Sequence, residues 1–391
     1  MNRLTIAFLI LLALLLSACN IPQAPTPAPA TPTTPAEATA TLPPTATLTS
    51  PTEPPSTPQP EPTATVSGFV VVDSENKEFK GYDLEGNLLF RYATGSQEAP
   101  TPREVQVVGR NVYFYSRLDK KLFRSNQEGL LFLPNLPGEH LSAFLVSPDE
   151  QKIAWAETFW EANPAYSTLW VGNMDGSDAR QVAEFDVETT PAFYLVPLEW
   201  TNSGDLIFQQ AMTGYGGYIL YDGYNSLYAY SPSSGEITTY VPADELHGLC
   251  LDTYRLDLKR VVFHCDQEGP GIVARSLADG SEQKAPAIEG FPIVGSARYS
   301  PSGQRLAYSA ARGNPEAEAG QVVVLPGDLS GTAQVLVSME GGFYRVLGWV
   351  DEDTLLVARS EDAVPGHMTL LLSLDGRQKE LARGWFVGLL R

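Results

Sequence analysis

The residues of this 391-residue chain with the widest chemical repertoire are three cysteines, Cys19, Cys250 and Cys265, and four histidines. His140, His247, His264 and His367 stand far apart, without metal-ligand spacing, and read as surface or loop residues. Neither a Gly-x-Ser-x-Gly elbow nor a His-Glu-x-x-His motif occurs. Asp175-Gly176-Ser177-Asp178 opens like a calcium loop but lacks the remaining ligands, so it reads as a turn. Acidic residues are plentiful, which leaves a carboxylate pair for glycoside chemistry open, although no motif points to one. No metal site and no cofactor is expected.

Aromatic side chains are the better candidates. Phe159, Trp160 and Tyr166 fall in one long segment, Phe193 and Tyr194 precede another, and Tyr215, Tyr218, Tyr221 and Tyr224 recur within 211–224. Flat rings suit sugar rings or peptide side chains, and long loops on a rigid scaffold are where binding residues concentrate. The alternative is that these rings pack on one another to order the loops. Two polar segments, 311–320 and 361–367, add loop length without aromatics.

The N-terminus reads as an export signal. Arg3 precedes an apolar run, Leu4–Leu16, interrupted only by Thr5, too short to span a bilayer comfortably. It ends in Leu16-Ser17-Ala18-Cys19. That tetrapeptide resembles the lipobox of bacterial lipoproteins, and the resemblance implies cleavage after Ala18 and diacylation of the Cys19 sulfur. The alternative is an ordinary signal peptide followed by a chance cysteine. Residues 20–66 are mostly Pro, Thr, Ala, Ser and Glu. Such a segment cannot bury enough apolar surface to offset chain entropy and is expected to be disordered. At roughly 3.1 Å per residue its extended reach is about 145 Å, the property of a stand-off spacer. Its threonines could also carry O-linked sugars. The organisation expected is thus a signal at 1–18, a lipidated cysteine and linker at 19–66, and a folded domain at 67–391.

A net charge of −20 argues against a nucleic-acid partner, because acid repels phosphate. Without a Lys/Arg run to dock on anionic lipid, membrane attachment is expected through the lipid on Cys19 alone.

Repeats set the expected fold. A tight turn recurs at Glu85-Gly86, Glu128-Gly129, Asp175-Gly176, Ser234-Gly235, Asp279-Gly280, Ser330-Gly331 and Asp375-Gly376, 43 to 59 residues apart. Strand-like runs flank each one, for example Val322-Val323-Val324 before and Val335-Leu336-Val337 after. A second turn lies upstream, clearest at Ser147-Pro148-Asp149, Asn202-Ser203-Gly204 and Ser300-Pro301-Ser302-Gly303, and weaker near 109, 257 and 352. Two hairpins per repeat mean four antiparallel strands, the pattern of a propeller blade. The repeat resembles the TolB-type, WD40-like propeller repeat over about residues 67–391. TolB-like propellers also cap serine peptidases of the prolyl oligopeptidase type. No hydrolase domain is expected here, since the repeats run to the last residues.

The fold class expected is therefore all-β, a β-propeller of seven four-stranded blades. Seven second hairpins but only six first hairpins leave the repeat at Gly68–Ala93 without its innermost strand. A spare strand, Trp385-Phe386-Val387-Gly388-Leu389-Leu390, is expected to pair beside Phe69–Val72 and close the ring, since an open ring leaves two exposed sheet edges. The alternative is an open or six-bladed ring.

Cys250 and Cys265 flank the first hairpin of the fifth repeat. Aligning Arg260-Val261-Val262-Phe263 with Arg305-Leu306-Ala307-Tyr308 puts the turn midpoint between 257 and 258, equally far from both cysteines. Residues so placed stand opposite each other, about 4.5–5.5 Å apart at Cα, within disulfide range. With Cys19 consumed by lipid in an oxidising compartment, these two are expected to bond; the alternative is two buried free thiols. The function expected is that of a monomeric, non-catalytic cell-envelope lipoprotein facing outside the cytoplasm. Its propeller binds or scaffolds a protein, peptide or glycan. The alternative is an enzyme acting on an extracellular polymer, as a glycan hydrolase or lyase.

Overall fold

Short apolar runs bounded by Gly-containing turns form, among the described residues, twenty-seven antiparallel strands and a single 3-10 turn, Pro102–Glu104. The computed structural model describes residues 65–136, 138–187, 192–213, 225–243, 251–264, 271–313, 318–361 and 366–391. Cys19, the linker up to Ala64, Cys250, Cys265, Tyr215, Tyr218, Tyr221 and Tyr224 lie outside the described residues, and Val66, expected to end the linker, is buried.

Blade one contains β1 (Gly68–Asp73), β2 (Glu78–Asp83) and β3 (Leu88–Ala93). Blade two is β4 (Val105–Val108), β5 (Asn111–Ser116), β6 (Lys121–Asn126) and β7 (Gly129–Phe132). Blade three is β8 (Leu141–Val146), β9 (Lys152–Phe159), β10 (Tyr166–Asn173) and β11 (Arg180–Asp186). Blade four is β12 (Ala192–Trp200), β13 (Leu206–Thr213), β14 (Leu227–Tyr230) and β15 (Ile237–Val241). Blade five is β16 (Leu251–Arg255), β17 (Arg260–Phe263), β18 (Gly271–Ser276) and β19 (Glu282–Pro286). Blade six is β20 (Ile293–Tyr299), β21 (Arg305–Arg312), β22 (Ala319–Pro326) and β23 (Gln334–Glu340). Blade seven is β24 (Gly342–Trp349), β25 (Thr354–Glu361), β26 (His367–Ser373) and the first half of β27 (Gln378–Leu390). Every expected turn falls between two of these strands, except that Gly129 opens β7.

The ring closes as expected. β27 is long enough to serve two blades: Gln378–Gly384 pairs with β26, and Trp385–Leu390 pairs with β1. Blades seven and one therefore form one seven-stranded sheet, in the order β24-β25-β26-β27-β1-β2-β3, beside five four-stranded sheets. Val71 stands opposite Phe386 and Val72 opposite Trp385.

Apolar clusters hold the ring, one at each seam between consecutive blades. Between blades six and seven, for example, Ala307 and Val322 pack with Tyr344, Val346 and Trp349. Between seven and one, Leu356 and Phe386 pack with Phe69 and Val71. Hydrogen bonds cross several seams next to these clusters. Ser167 Oγ accepts from Leu195 N at 3.1 Å, Ser309 Oγ from Val346 N at 3.0 Å, and Asp252 Oδ2 from Ala297 N at 2.8 Å. Each acceptor sits in one blade and each donor on the inner strand of the next. Ser309 is fully buried, so Ser309→Ala is expected to leave the Val346 amide without a partner. The expected cost is about 1–3 kcal/mol, read as a lower denaturant midpoint with an unchanged slope.

One regular feature has no signature in the sequence. The inner-strand pairings of blades one and three to seven each carry a β-bulge or register shift, for example between Val346 and Gly348 and between Gly295 and Arg298. In blade five the pairing follows the expected register from Arg255↔Arg260 to Thr253↔Val262, then shifts so that Leu251 faces Phe263. Asp252 is the extra residue.

Candidate functional site

Because successive strands alternate direction, the two hairpin turns of each of blades two to seven share one face with the single hairpin turn of blade one, here the turn face. The loops between second and third strands and the connections between blades share the other, the loop face. Of the residues singled out for aromatic content, Phe159, Trp160, Tyr166, Phe193 and Tyr194 lie at strand ends or in a turn on the loop face.

On the loop face of blade three, β9 and β10 run further than the sequence pattern suggested. Phe159 and Tyr166 are cross-strand partners, not loop residues, and their rings stack at 4.6 Å. His140, from the connection between blades two and three, lies against Phe159 at 4.5 Å. The result is a column of three rings. Trp160 follows in the adjoining turn and is 47% exposed. Phe193 and Tyr194 are not in the connection before blade four but in its inner strand, paired with Met212 and Ala211. A chain of hydroxyls fixes that strand: Thr158 Oγ1 donates to Ser142 Oγ at 2.9 Å and lies 3.3 Å from Ser167 Oγ, which accepts from the Leu195 amide. Tyr194 sits within the field of Arg103 and Arg117; burial nevertheless holds its phenol above the ordinary value. Arg117 pairs with Glu104, whose other oxygen accepts from the Thr101 amide at 2.7 Å.

The structure therefore brings Phe159 and Tyr166 together and adds His140. It does not place Phe193 in that column, and the four blade-four tyrosines lie outside the described residues. Sequence reasoning also passed over Glu157. Burial raises its carboxyl above the ordinary carboxylate value, against the opposing pull of nearby His140. A strand residue in an acid-rich chain has no signal that would single it out.

The reading of all histidines as surface or loop residues does not hold. His264 is buried, with Nδ1 3.5 Å from Asp252 Oδ2 at the blade-five bulge. His367 lies at the seam of blades seven and one, edge-on to Trp385 at 4.5 Å and 6.2 Å from Phe343. Burial first, then Arg345 and Arg383, depress its pKa to about 4, so it is neutral at physiological pH. Trp385, 36% exposed, gives the loop face a second aromatic spot that the sequence reading assigned only to ring closure. Among the described residues no group of three or more His, Cys, Asp or Glu is placed to hold a metal ion.

No family model and no curated protein matches the sequence. Solved structures do resemble the fold. A prolyl endopeptidase aligns with a TM-score of 0.57 at 13% identity, covering 83% of this chain and 49% of that one. TolB from Acinetobacter baumannii aligns at 0.40 and 15% identity, covering 82% and 80%. An acylaminoacyl peptidase from Pyrococcus horikoshii aligns at 0.48 and 10% identity, covering 81% and 50%. The chain spans about half the length of these two peptidases. The protein is an all-β β-propeller, and at these identities the likeness is one of fold.

Proposed function

We propose that this protein is an exported, lipid-anchored binding module of the cell envelope whose loop face grips a protein, peptide or glycan ligand. The observation that carries the reading is the ring column of His140, Phe159 and Tyr166 with the exposed Trp160 beside it. Aromatic rings at the rim of a rigid scaffold offer contact area at low entropic cost. The other reading, an enzyme on an extracellular polymer, would rest on Glu157, a carboxyl whose pKa burial raises above the ordinary value.

The test is capture from envelope extracts by the full chain in detergent, compared with a variant carrying alanine at Trp160, Tyr215 and Tyr218. The variant is expected to keep its melting temperature and lose the captured ligand. A large fall in melting temperature would instead assign these rings to packing, and unchanged capture would place the site elsewhere.

A further inference from the structure

The seam between blades three and four opens on the turn face into a cleft of about 580 Å³, on the opposite side from the aromatic column. Its walls include Pro148, Val171, Trp200, Tyr230 and Pro232, with Asp149 and Asp178 as carboxylates and Lys152 and Arg180 as cations. The seam between blades six and seven is built from the same local parts. Trp200 Nε1 donates to the Leu145 carbonyl at 3.3 Å, and Trp349 Nε1 donates to the equivalent Arg298 carbonyl at 2.8 Å. Ser147 closes its turn on Lys152 as Ser300 does on Arg305.

What differs is the stitching. At the six–seven seam, Arg305 Nη1 donates to the Glu352 carbonyl at 2.7 Å and lies 3.3 Å from the Asp353 carboxylate. The Glu352 carboxylate accepts from Ser302 N and Oγ at 2.6 and 2.9 Å. Gln334 Nε2 reaches the Leu374 carbonyl at 3.3 Å. The equivalents at the three–four seam are Lys152, Ser203 and Arg180. Lys152 turns back to Asn173 Oδ1 at 2.7 Å within its own blade, and Ser203 is too short to cross. Asp149 stands where Ser302 stands, so an acceptor replaces a donor. At the Arg305 position the cleft thus has a lysine turned back into its own blade, and at the Ser302 position it has a carboxylate, while Arg180 stands where Gln334 does.

We propose that this cleft binds an arginine side chain presented by a partner peptide or protein. The guanidinium would take the place that Arg305 fills in the other seam. There it would meet the Asp149 carboxylate and the carbonyls of the blade-four turn, with its aliphatic stem against Pro148 and Tyr230. Arginine is favoured over lysine because a planar fork meets a carboxylate and a carbonyl together. The chain's net charge of −20 steers a cationic segment toward it. The chain's own linker is not the occupant, since no Lys or Arg occurs between Asn20 and Val66.

The test uses the full chain in detergent with fluorinated tryptophan and reads the ¹⁹F resonance of Trp200, assigned with Trp200→Phe. Acetyl-Gly-Arg-Gly-amide is expected to shift that resonance with a dissociation constant on the order of 1 mM. The citrulline counterpart, which keeps shape and loses charge, should bind about tenfold more weakly or worse, and Asp149→Asn should weaken the arginine peptide similarly. Asp149→Ser with Lys152→Arg and Ser203→Glu rebuilds the six–seven stitch. It is expected to abolish binding and raise the melting temperature. No shift of the Trp200 resonance by the arginine peptide, or equal binding of the citrulline peptide, would overturn the proposal. Should the triple variant fail to fold, Asp149→Asn decides alone: arginine affinity unchanged in that variant also overturns it.

Discussion

Deleting Trp385–Arg391 is expected to abolish the cooperative thermal transition and send the protein into aggregates, not merely to lower its melting temperature. The deletion removes the inner strand of blade one and every backbone pairing of β1 on that side. Phe386 and Leu389 are lost from the seam of blades seven and one, and Val387 and Leu390 from the seam of blades one and two. Even with partial burial, four apolar side chains amount to on the order of 5 kcal/mol. A typical domain has about 5–15 kcal/mol in total. The cut also unpairs one edge of β1 and opens the ring, so two blades whose sheets were joined through this strand present edges for intermolecular pairing. Calorimetry with size-exclusion chromatography reads the outcome. A truncated protein that stays monomeric and melts within a few degrees of the intact chain would show that the ring does not depend on this strand.

Replacing Cys19 with alanine is expected to move the protein from the membrane to the soluble fraction almost completely. The motive is the Leu16-Ser17-Ala18-Cys19 end of a short apolar run. Two acyl chains on one cysteine anchor stably where a single chain binds only marginally, so loss of the modified sulfur removes the anchor in one step. No helix among the described residues is long and apolar enough to cross a membrane, and the chain carries 46 acidic residues against 26 basic ones. Fractionation and detergent partitioning measure the effect. A Cys19→Ala chain that remains in the membrane pellet would assign attachment to something other than the lipid.

What the sequence by itself determined is local and periodic. The Gly-containing turns at Asp175-Gly176 and Asp375-Gly376 adopt the positive φ that such pairs supply, 79° and 84° at the glycines, and so mark hairpins without tertiary information. Counting those hairpins was enough to find the missing strand of blade one and its donor, because an unpaired edge in a ring of repeats has one remedy. The pairing of Arg255 with Arg260 was legible for the same reason: turn position alone sets register near a turn. Away from the turn, packing takes over. The bulge at Asp252 arises where an inner strand must meet the next blade, through a hydrogen bond to Ala297 that joins residues 45 apart. Strand ends behave likewise. Phe159 and Tyr166 read as loop residues because the segment lacks alternation, yet ring stacking across the hairpin extends both strands. The seams make the point most sharply. Ser147-Pro148-Asp149 and Ser300-Pro301-Ser302 are near-identical in sequence and form near-identical turns, yet one seam is stitched and the other open. The difference lies in whether a side chain from the neighbouring blade is long enough and of the right charge to cross, which only the tertiary structure decides.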